Sequence, residues 1–428
     1  RDDRETRLLP QGDFFTAETY IYDHKVAMIA YREGVFGFIV AGEEFAEAQK
    51  ALFERLWEVA EQKEKPITKT LPSFPRRENR GISGTKPYIG IIFGGLSRER
   101  EVSLNSGRHV YTSIDRARYT PVPIYWDSSG RFWLIPDELV IRNTTEEIEE
   151  QLARAKRLRF EDLKGVMDFA FLTTHGKYGD DGALQGLLEW MRIPYSGAGT
   201  LGAALGMDKW MQRKLMRLSG IPIPRYETLT AHEWKASKTA HRKRIEQALA
   251  YPIVVKPARE GSSFGVSLIK GKDEFVDALH RAFMYDNMAL FEEYIKGREF
   301  SCIVIEDGKR VQALLPTETK HKGAIFTYEE KYLPGAAEKE TPMKVSEKPL
   351  KEIQKHSEAT FTALGFKDYS RIDGFVVGDE KRVLITDPNA AACTGMGSSS
   401  FTWHQAAEAG MNTSEFLTFL IEGVREGE

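Results

Sequence analysis

Three stretches of this sequence carry residue types and spacings that could do chemistry. The first is Lys256–Gly265, KPAREGSSFG, directly after the apolar run Tyr251–Lys256. Its glycines and serines make a loop whose backbone N–H groups and hydroxyls can wrap phosphate oxygens. It has no GxxxxGK[ST] pattern, so it is not a Walker A loop, and a plain Gly/Ser turn between strands fits it equally well. The second is acidic: Asp373 in Arg371-Ile372-Asp373, and the Asp387-Pro388-Asn389 triplet. Alternation along a strand points Asp387 and Asn389 the same way, and such hard oxygen ligands suit Mg²⁺. Asp-Pro-Asn is also good turn chemistry. The third is Gly94–Ser103, GGLSREREVS. Two glycines after a strand let a ligand approach the backbone, and Glu99 could meet an ammonium group. An acidic helix start would look the same.

Elements must hold these groups in place. From Pro87 onward, strands alternate with helices: Tyr88–Phe93, then helix Ser103–Ile114, then strands Tyr119–Trp126 and Asp168–Thr173. That alternation predicts a parallel, doubly wound sheet. Ligands sit at the carboxyl ends of such strands, where Gly94-Gly95 and His175-Gly176 lie. A helix over Met207–Leu218 is stopped by Gly220 and the prolines that follow. Strands are expected at Tyr251–Lys256, Leu290–Ile295, Phe300–Glu306, Arg310–Leu315, Phe375–Val377 and Val383–Thr386. Helices are expected at Phe275–Ala282 and Glu415–Val424, the latter with Asn412 and Glu415 spaced as a capping box. Upstream, Thr19–Tyr31, broken at Asp23-His24, and Val35–Ala41 read as strands. An amphipathic helix follows over Glu43–Glu61. Residues 1–63 are thus a β-hairpin/helix (ββα) accessory module, and the Pro/Gly- and Arg-punctuated stretch 64–86 is a linker.

Composition limits the possibilities. A chain of 428 residues exceeds one compact core. Apolar content of 41% and charge of 29% are those of an ordinary globular protein. With 60 Lys plus Arg against 63 Asp plus Glu, the net charge is −3, and no global basic field recruits nucleic acid. The only cysteines are Cys302 and Cys393, a usage that suggests the cytoplasm. No run approaches the roughly 18 apolar residues of a membrane helix, and no signal peptide stands out. The chain opens on Arg1 rather than methionine, so upstream residues are expected.

The order and wording of six phrases, GGLSREREVSLNSG (94–107), HGKYGDDGALQG (175–186), Met207-Asp208-Lys209, KPAREGSSFG (256–265), EEKYL (329–333) and Arg371-Ile372-Asp373, resemble the D-alanine–D-alanine ligase family of the ATP-grasp superfamily. The resemblance runs from Tyr88 to near the C-terminus. It implies an N-terminal ligase domain over 87–198, a central ATP-grasp subdomain over 199–291 and a C-terminal subdomain over 292–428. It also implies roles. Glu99 would bind the ammonium of the first D-alanine, with Val102, Ser103 and His175 lining that pocket. Lys209, Lys256 and Lys331 would contact ATP phosphates, and Ser262 and Ser263 would close over them. Glu292 and Glu299 would bind adenosine. Tyr332 would join Glu99 and Ser262 to shut the site. Arg371 would stabilise charge at the reacting carboxyl carbon, and Asp373, Asp387 and Asn389 would hold two Mg²⁺, or Mn²⁺, ions. The implied product is D-alanyl-D-alanine for peptidoglycan, formed through an acyl phosphate. That intermediate needs a lid against water, and Gly261–Gly265 and Glu318–Pro334 are the candidates. A homodimer is also implied.

The sequence departs from the family at its metal strand. Asp387 stands where Glu is usual, two extra residues separate Asn389 from Gly395-Met396, and Thr394 stands where Pro is usual. Across that insertion Gly395 matches the oxyanion glycine and Ser400 the serine for the second substrate's carboxylate. A ligase taking D-lactate or D-serine, or a regulatory ATP- and amino-acid-binding protein without catalysis, remains open. Phe15–Thr19 and Ile21–Ala27 loosely resemble the tail of effector-sensing transcriptional regulators. No helix-turn-helix accompanies them, so DNA binding is not expected. Cys393 reads as a small packed residue, Trp403 and His404 as the start of a helix, and His109 and His241 as structural or surface residues.

Overall fold

Ile89, Ile91 and Phe93 alternate with Gly90 and Ile92 along Tyr88–Gly94, and all are buried. A strand apolar on both faces belongs at the centre of a covered sheet. In the computed structural model it does, pairing in parallel with Thr120–Trp126 on one side and Phe169–Leu172 on the other. Antiparallel strands Phe132–Leu134 and Lys156–Leu158 complete this five-stranded sheet. The structure describes residues 17–22, 25–30, 36–41, 50, 86–261, 263–308, 310–320, 338–391 and 395–426.

Helices cover both faces, as doubly wound architecture requires. Ile89, Ile91 and Phe93 pack with Leu104 and Val110 of helix Arg100–Ser113. Ile92, Val122 and Leu172 pack on the other face with Leu184 and Leu188 of helix Ala183–Met191. Each such fully buried apolar side chain is worth about 1.5–3 kcal/mol.

Two antiparallel sheets follow. The central one runs Ser267–Ile269, Ile253–Pro257, Met288–Glu293 and Tyr226–Thr230 in spatial order. The C-terminal one runs Glu338–Glu340, Thr317–Lys320, Arg298–Glu306, Tyr369–Val377 and Arg382–Ala390, with Val311–Ala313 paired to Arg298–Glu306. Its core is completed by the long helix Glu347–Ala363, which sequence reasoning did not pick out. Its other face meets helices Phe401–Glu408 and Thr413–Glu426. These share one core with the N-terminal sheet, through Ile303, Tyr369, Trp403, Phe416 and Ile91. The expected capping box is present, since Glu415 donates its backbone N–H to Asn412 Oδ1 and Asn412 donates its own to Glu415 Oε2.

Three expectations change. The helix expected over Met207–Leu218 begins at Lys209 and runs to Leu218, and Met207 instead ends a preceding helix, Thr200–Met207. They break at Asp208, whose carboxylate caps the second by accepting from Met211 N–H at 3.0 Å. The N-terminal hairpin is a three-stranded antiparallel sheet of Ala17–Tyr22, Lys25–Ala30 and Phe36–Ala41, because Ala17–Tyr22 and Lys25–Ala30 are separate strands that pair with Tyr22 opposite Lys25. The helix expected at 43–61 and the linker fall outside the described residues, apart from Lys50 and Lys86. The second lid candidate is not a free loop at its start: Thr317–Lys320 is a sheet strand, and Glu318 is buried against Arg298 at 2.7 Å.

Candidate active site

One cleft lies between the three sheets, and each contributes a wall. The N-terminal wall begins at Glu99, which precedes helix Arg100–Ser113 and is only 6% exposed. A carboxylate so placed is favoured by the positive helix end. Gly176 makes room for it: its φ is +75°, and a Cβ there would stand 2.5 Å from Glu99 Oε2. Val102, on the same helix, also faces the cleft. Ser103 does not. It is fully buried and accepts the Gly94 N–H at 2.8 Å, so it braces the strand end instead of lining a pocket. Gly94 likewise serves packing: at φ +92°, a Cβ would meet the Trp126 carbonyl at 2.3 Å.

His175 lines the cleft but is 3% exposed. Burial, then the Arg371 guanidinium, push its pKa down to about 3, so the imidazole is neutral. Its Nε2 lies 3.2 Å from Ser106 Oγ, which accepts the Met396 N–H at 3.1 Å. With that lone pair occupied, the hydroxyl proton is available to a neutral Nε2 acceptor.

The central wall carries the lysines. Lys256 Nζ sits 2.6 Å from Glu292 Oε2, and Glu292 also receives Arg213 Nε at 2.6 Å. Burial alone would raise the Glu292 pKa, but Arg213 and Lys256 outweigh it and hold the carboxyl below its ordinary value. Glu292 therefore lines the cleft as an ionised group already paired, which anchors Lys256. Lys209 begins its helix and donates from Nζ to the Glu260 carbonyl, bringing it to the loop after Ile253–Pro257. In that loop Ser263 sits at φ 62° and lines the cleft with Gly261. Ser262, Lys331 and Tyr332 lie outside the described residues.

The C-terminal wall is built by register. Asp373 lies opposite Asp387, and Arg371 opposite Asn389, on paired strands. Arg371 Nε reaches both Asp373 oxygens at 3.0 Å, Ser301 donates to Oδ1 at 2.6 Å, and Asn389 Nδ2 to Oδ2 at 3.0 Å. Burial raises the Asp373 pKa, opposed by Arg371 and its hydrogen bonds and reinforced by facing Asp387. Two facing carboxylates and an amide make a hard-oxygen set of the kind Mg²⁺ takes when phosphates supply the remaining ligands. Glu299 lines the same cleft from the neighbouring strand.

Gly395 and Ser400 both reach the cleft despite the insertion. Ser400 caps helix Phe401–Glu408, accepting Thr402 N–H at 3.2 Å while donating to the Gly395 carbonyl. Trp403 is buried and holds the Gly397 carbonyl at 2.8 Å. Its ring packs on His109 at 5.2 Å, so both are structural, as expected. Cys302 is buried, with its thiol pushed up to about 12, first by burial. Cys393 lies outside the described residues.

Sequence reasoning missed four cleft features. Ser106 sits inside the quoted phrase 94–107 but carries no signal of its own. Tyr294 and Ile295 line the cleft just beyond the Met288–Glu293 strand. Phe401 follows the cap residue. Lys339, in a polar run, lines the cleft from strand Glu338–Glu340.

Comparison with known proteins agrees with this arrangement. Residues 88–198 match the family described as D-ala D-ala ligase N-terminus, and residues 215–422 match D-ala D-ala ligase C-terminus. A D-alanine--D-alanine ligase of Geobacillus thermodenitrificans is 34% identical over 319 residues, 71% of this chain and 86% of the relative. The crystal structure of VanG D-Ala:D-Ser ligase from Enterococcus faecalis superposes with TM-score 0.70 at 30% identity, over 79% of this chain and all (100%) of the other. That of a Bacillus anthracis D-alanine--D-alanine ligase complexed with ATP gives 0.60 at 28%, over 79% and 98%. These matches lend no support to the regulator-like resemblance of the N-terminal module. They cover the cleft-bearing sheets in order from residue 88, and on that ground the chain belongs to the D-alanine–D-alanine ligase family, with its ATP-grasp fold.

Proposed function

We propose that this chain joins two D-alanines into D-alanyl-D-alanine with ATP, for peptidoglycan precursor synthesis. One observation carries the reading: a single cleft gathers Glu99, Lys256 and Arg371, each from a different wall. Ligation needs an ammonium anchor, phosphate anchors and a cation at the acyl carbon together.

In the first step a carboxylate oxygen of D-alanine attacks the γ-phosphorus of ATP, giving an acyl phosphate and ADP. In the second, the amine of another D-alanine attacks the acyl carbon, phosphate leaves and the amine loses a proton. Glu99 holds the first ammonium, with Val102 and neutral His175 beside it. Lys209 and Lys256 hold phosphates, joined by Lys331. Glu299 and the Glu292 segment bind adenosine. Arg371 and the Gly395 N–H stabilise charge at the acyl carbon, and Ser400 faces the second substrate. Ser262, Ser263 and Tyr332 close the site. Asp373, Asp387 and Asn389 would hold Mg²⁺ or Mn²⁺, which when bound neutralises phosphate charge. Phosphoryl transfer depends mainly on positioning and charge, which these residues supply. The domain division 87–198, 199–291 and 292–428, a homodimer and a cytoplasmic location belong to the same proposal.

The test is phosphate release from ATP with Mg²⁺, with and without D-alanine, and the mass of the product. D-alanine-dependent release with a D-alanyl-D-alanine mass is expected. ATP binding without such turnover would support a regulatory protein instead. A product mass showing D-serine or D-lactate, supplied in competition, would reassign the acceptor alone.

A further inference from the structure

Lys339 stands in the cleft in a setting that no role above uses. Its Nζ donates to the Ser399 carbonyl at 2.9 Å and lies 4.6 Å from the Phe401 ring. The Arg371 guanidinium lies 6.0 Å from the centre of the same ring. Two cations thus approach one aromatic ring, at the N-terminus of helix Phe401–Glu408 and beside its cap Ser400. Among the described residues no carboxylate comes within ion-pair distance (4.0 Å) of the Lys339 ammonium. The neighbouring acids are committed elsewhere. Glu338 and Glu340 pair with Lys320 at 3.1 and 3.2 Å, and Asp373 is bound by Arg371, Ser301 and Asn389.

A partly buried ammonium whose partners among the described residues are a carbonyl and an aromatic ring is costly unless an anion joins it. The proposed ligation brings three anions to the cleft: ATP phosphates, the carboxylate of the donor whose ammonium Glu99 would anchor at the N-terminal wall, and the acceptor's carboxylate. Geometry separates them. Lys209 and Lys256 belong to the central wall with Glu260 and Glu292, whereas Lys339 touches Ser399 and Phe401, on either side of Ser400. We propose that Lys339 is a specificity-determining residue that receives the α-carboxylate of the second amino acid, so that an acceptor lacking that carboxylate is refused. The lowered Lys339 pKa, about 8 through burial and Arg371, has the same physical cause and agrees with a cation awaiting its anion. This deepens the ligase reading and rests on it.

The test uses the full chain and its Lys339→Met and Lys339→Arg variants. KM is measured separately for ATP, for donor D-alanine and for acceptor D-alanine. D-alaninamide serves as an acceptor without the carboxylate. In Lys339→Met the acceptor KM should rise about tenfold to a hundredfold, the range for losing one charge-assisted hydrogen bond. KM for ATP and donor should hold, and the preference for D-alanine over D-alaninamide should collapse. Lys339→Arg should retain most of that preference and serves as the folded control. An unchanged acceptor KM in Lys339→Met, or a change confined to ATP, overturns the inference while the ligase reading stands. No dipeptide from the unmodified chain overturns the reading itself, and the inference with it.

Discussion

At the scale of single residues, burial in the cleft sets protonation. His175 shows this most plainly. Its ordinary pKa of 6.5 applies to the unfolded chain, and about 3 applies once it is buried beside Arg371. Between those values the unfolded chain holds the proton and the folded one does not. Stability tied to this group is therefore complete above about pH 6.5 and falls as the solution is acidified toward about pH 3. His175→Asn removes the titration while keeping a polar side chain near Ser106. In urea unfolding, the advantage of the native chain over His175→Asn should be largest near neutrality and shrink steadily with acid. An advantage that does not vary with pH would show that burial does not control this imidazole.

Among elements, the short helix Lys209–Leu218 links local structure to function. Asp208 ends one helix and caps the next, and the first residue after it is Lys209, whose ammonium meets the carbonyl of Glu260 in the loop after Ile253–Pro257. Asp208 also approaches Arg259 in that loop at 3.4 Å. Loss of an acidic N-cap costs about 1 kcal/mol. Asp208→Ala should therefore lower stability by that order in denaturant titration and raise the KM for ATP, while Asp208→Asn, which can still cap, should restore much of the stability. A variant with the lowered stability but an unaltered KM for ATP would show that the cap does not position Lys209.

At the scale of the molecule, function depends on three sheets holding one cleft. The N-terminal and C-terminal sheets are joined by the shared core and by Asp368, which accepts Gly197 N–H at 2.5 Å. Burial raises the Asp368 pKa from 3.8 to about 7, partly offset by that N–H and reinforced by Glu306. Here the folded chain holds the proton more tightly than the unfolded one. The associated stability is present below about pH 3.8 and is lost as pH rises through about 7. Asp368→Asn keeps an acceptor for Gly197 and stays neutral. Its thermal midpoint should exceed that of the unmodified chain at about pH 8, and the difference should vanish near pH 4. An equal difference at both pH values would count against this account of the joint.

The sequence by itself determined much of this protein. Strand Tyr88–Gly94 was readable because Ile89, Ile91 and Phe93 are apolar in a short bounded run, and the Asn412–Glu415 cap because its partners are three residues apart. Motif order carried Glu99, Lys209, Lys256, Arg371 and Asp373, since each sits in a phrase of recognisable wording. Tertiary structure decided what depends on distant partners. Ser103 looked like a pocket residue until its hydroxyl was found on Gly94, and the pairing of Glu292 with Arg213 and Lys256 has no signal in its own segment. Lys339 carried no sequence signal because nothing in its own segment explains it. Its significance comes from Ser399, Phe401 and Arg371, which reach it only when helix and sheet meet. Periodicity and short motifs record local preference, whereas burial and charge balance are properties of packing between segments far apart in the chain.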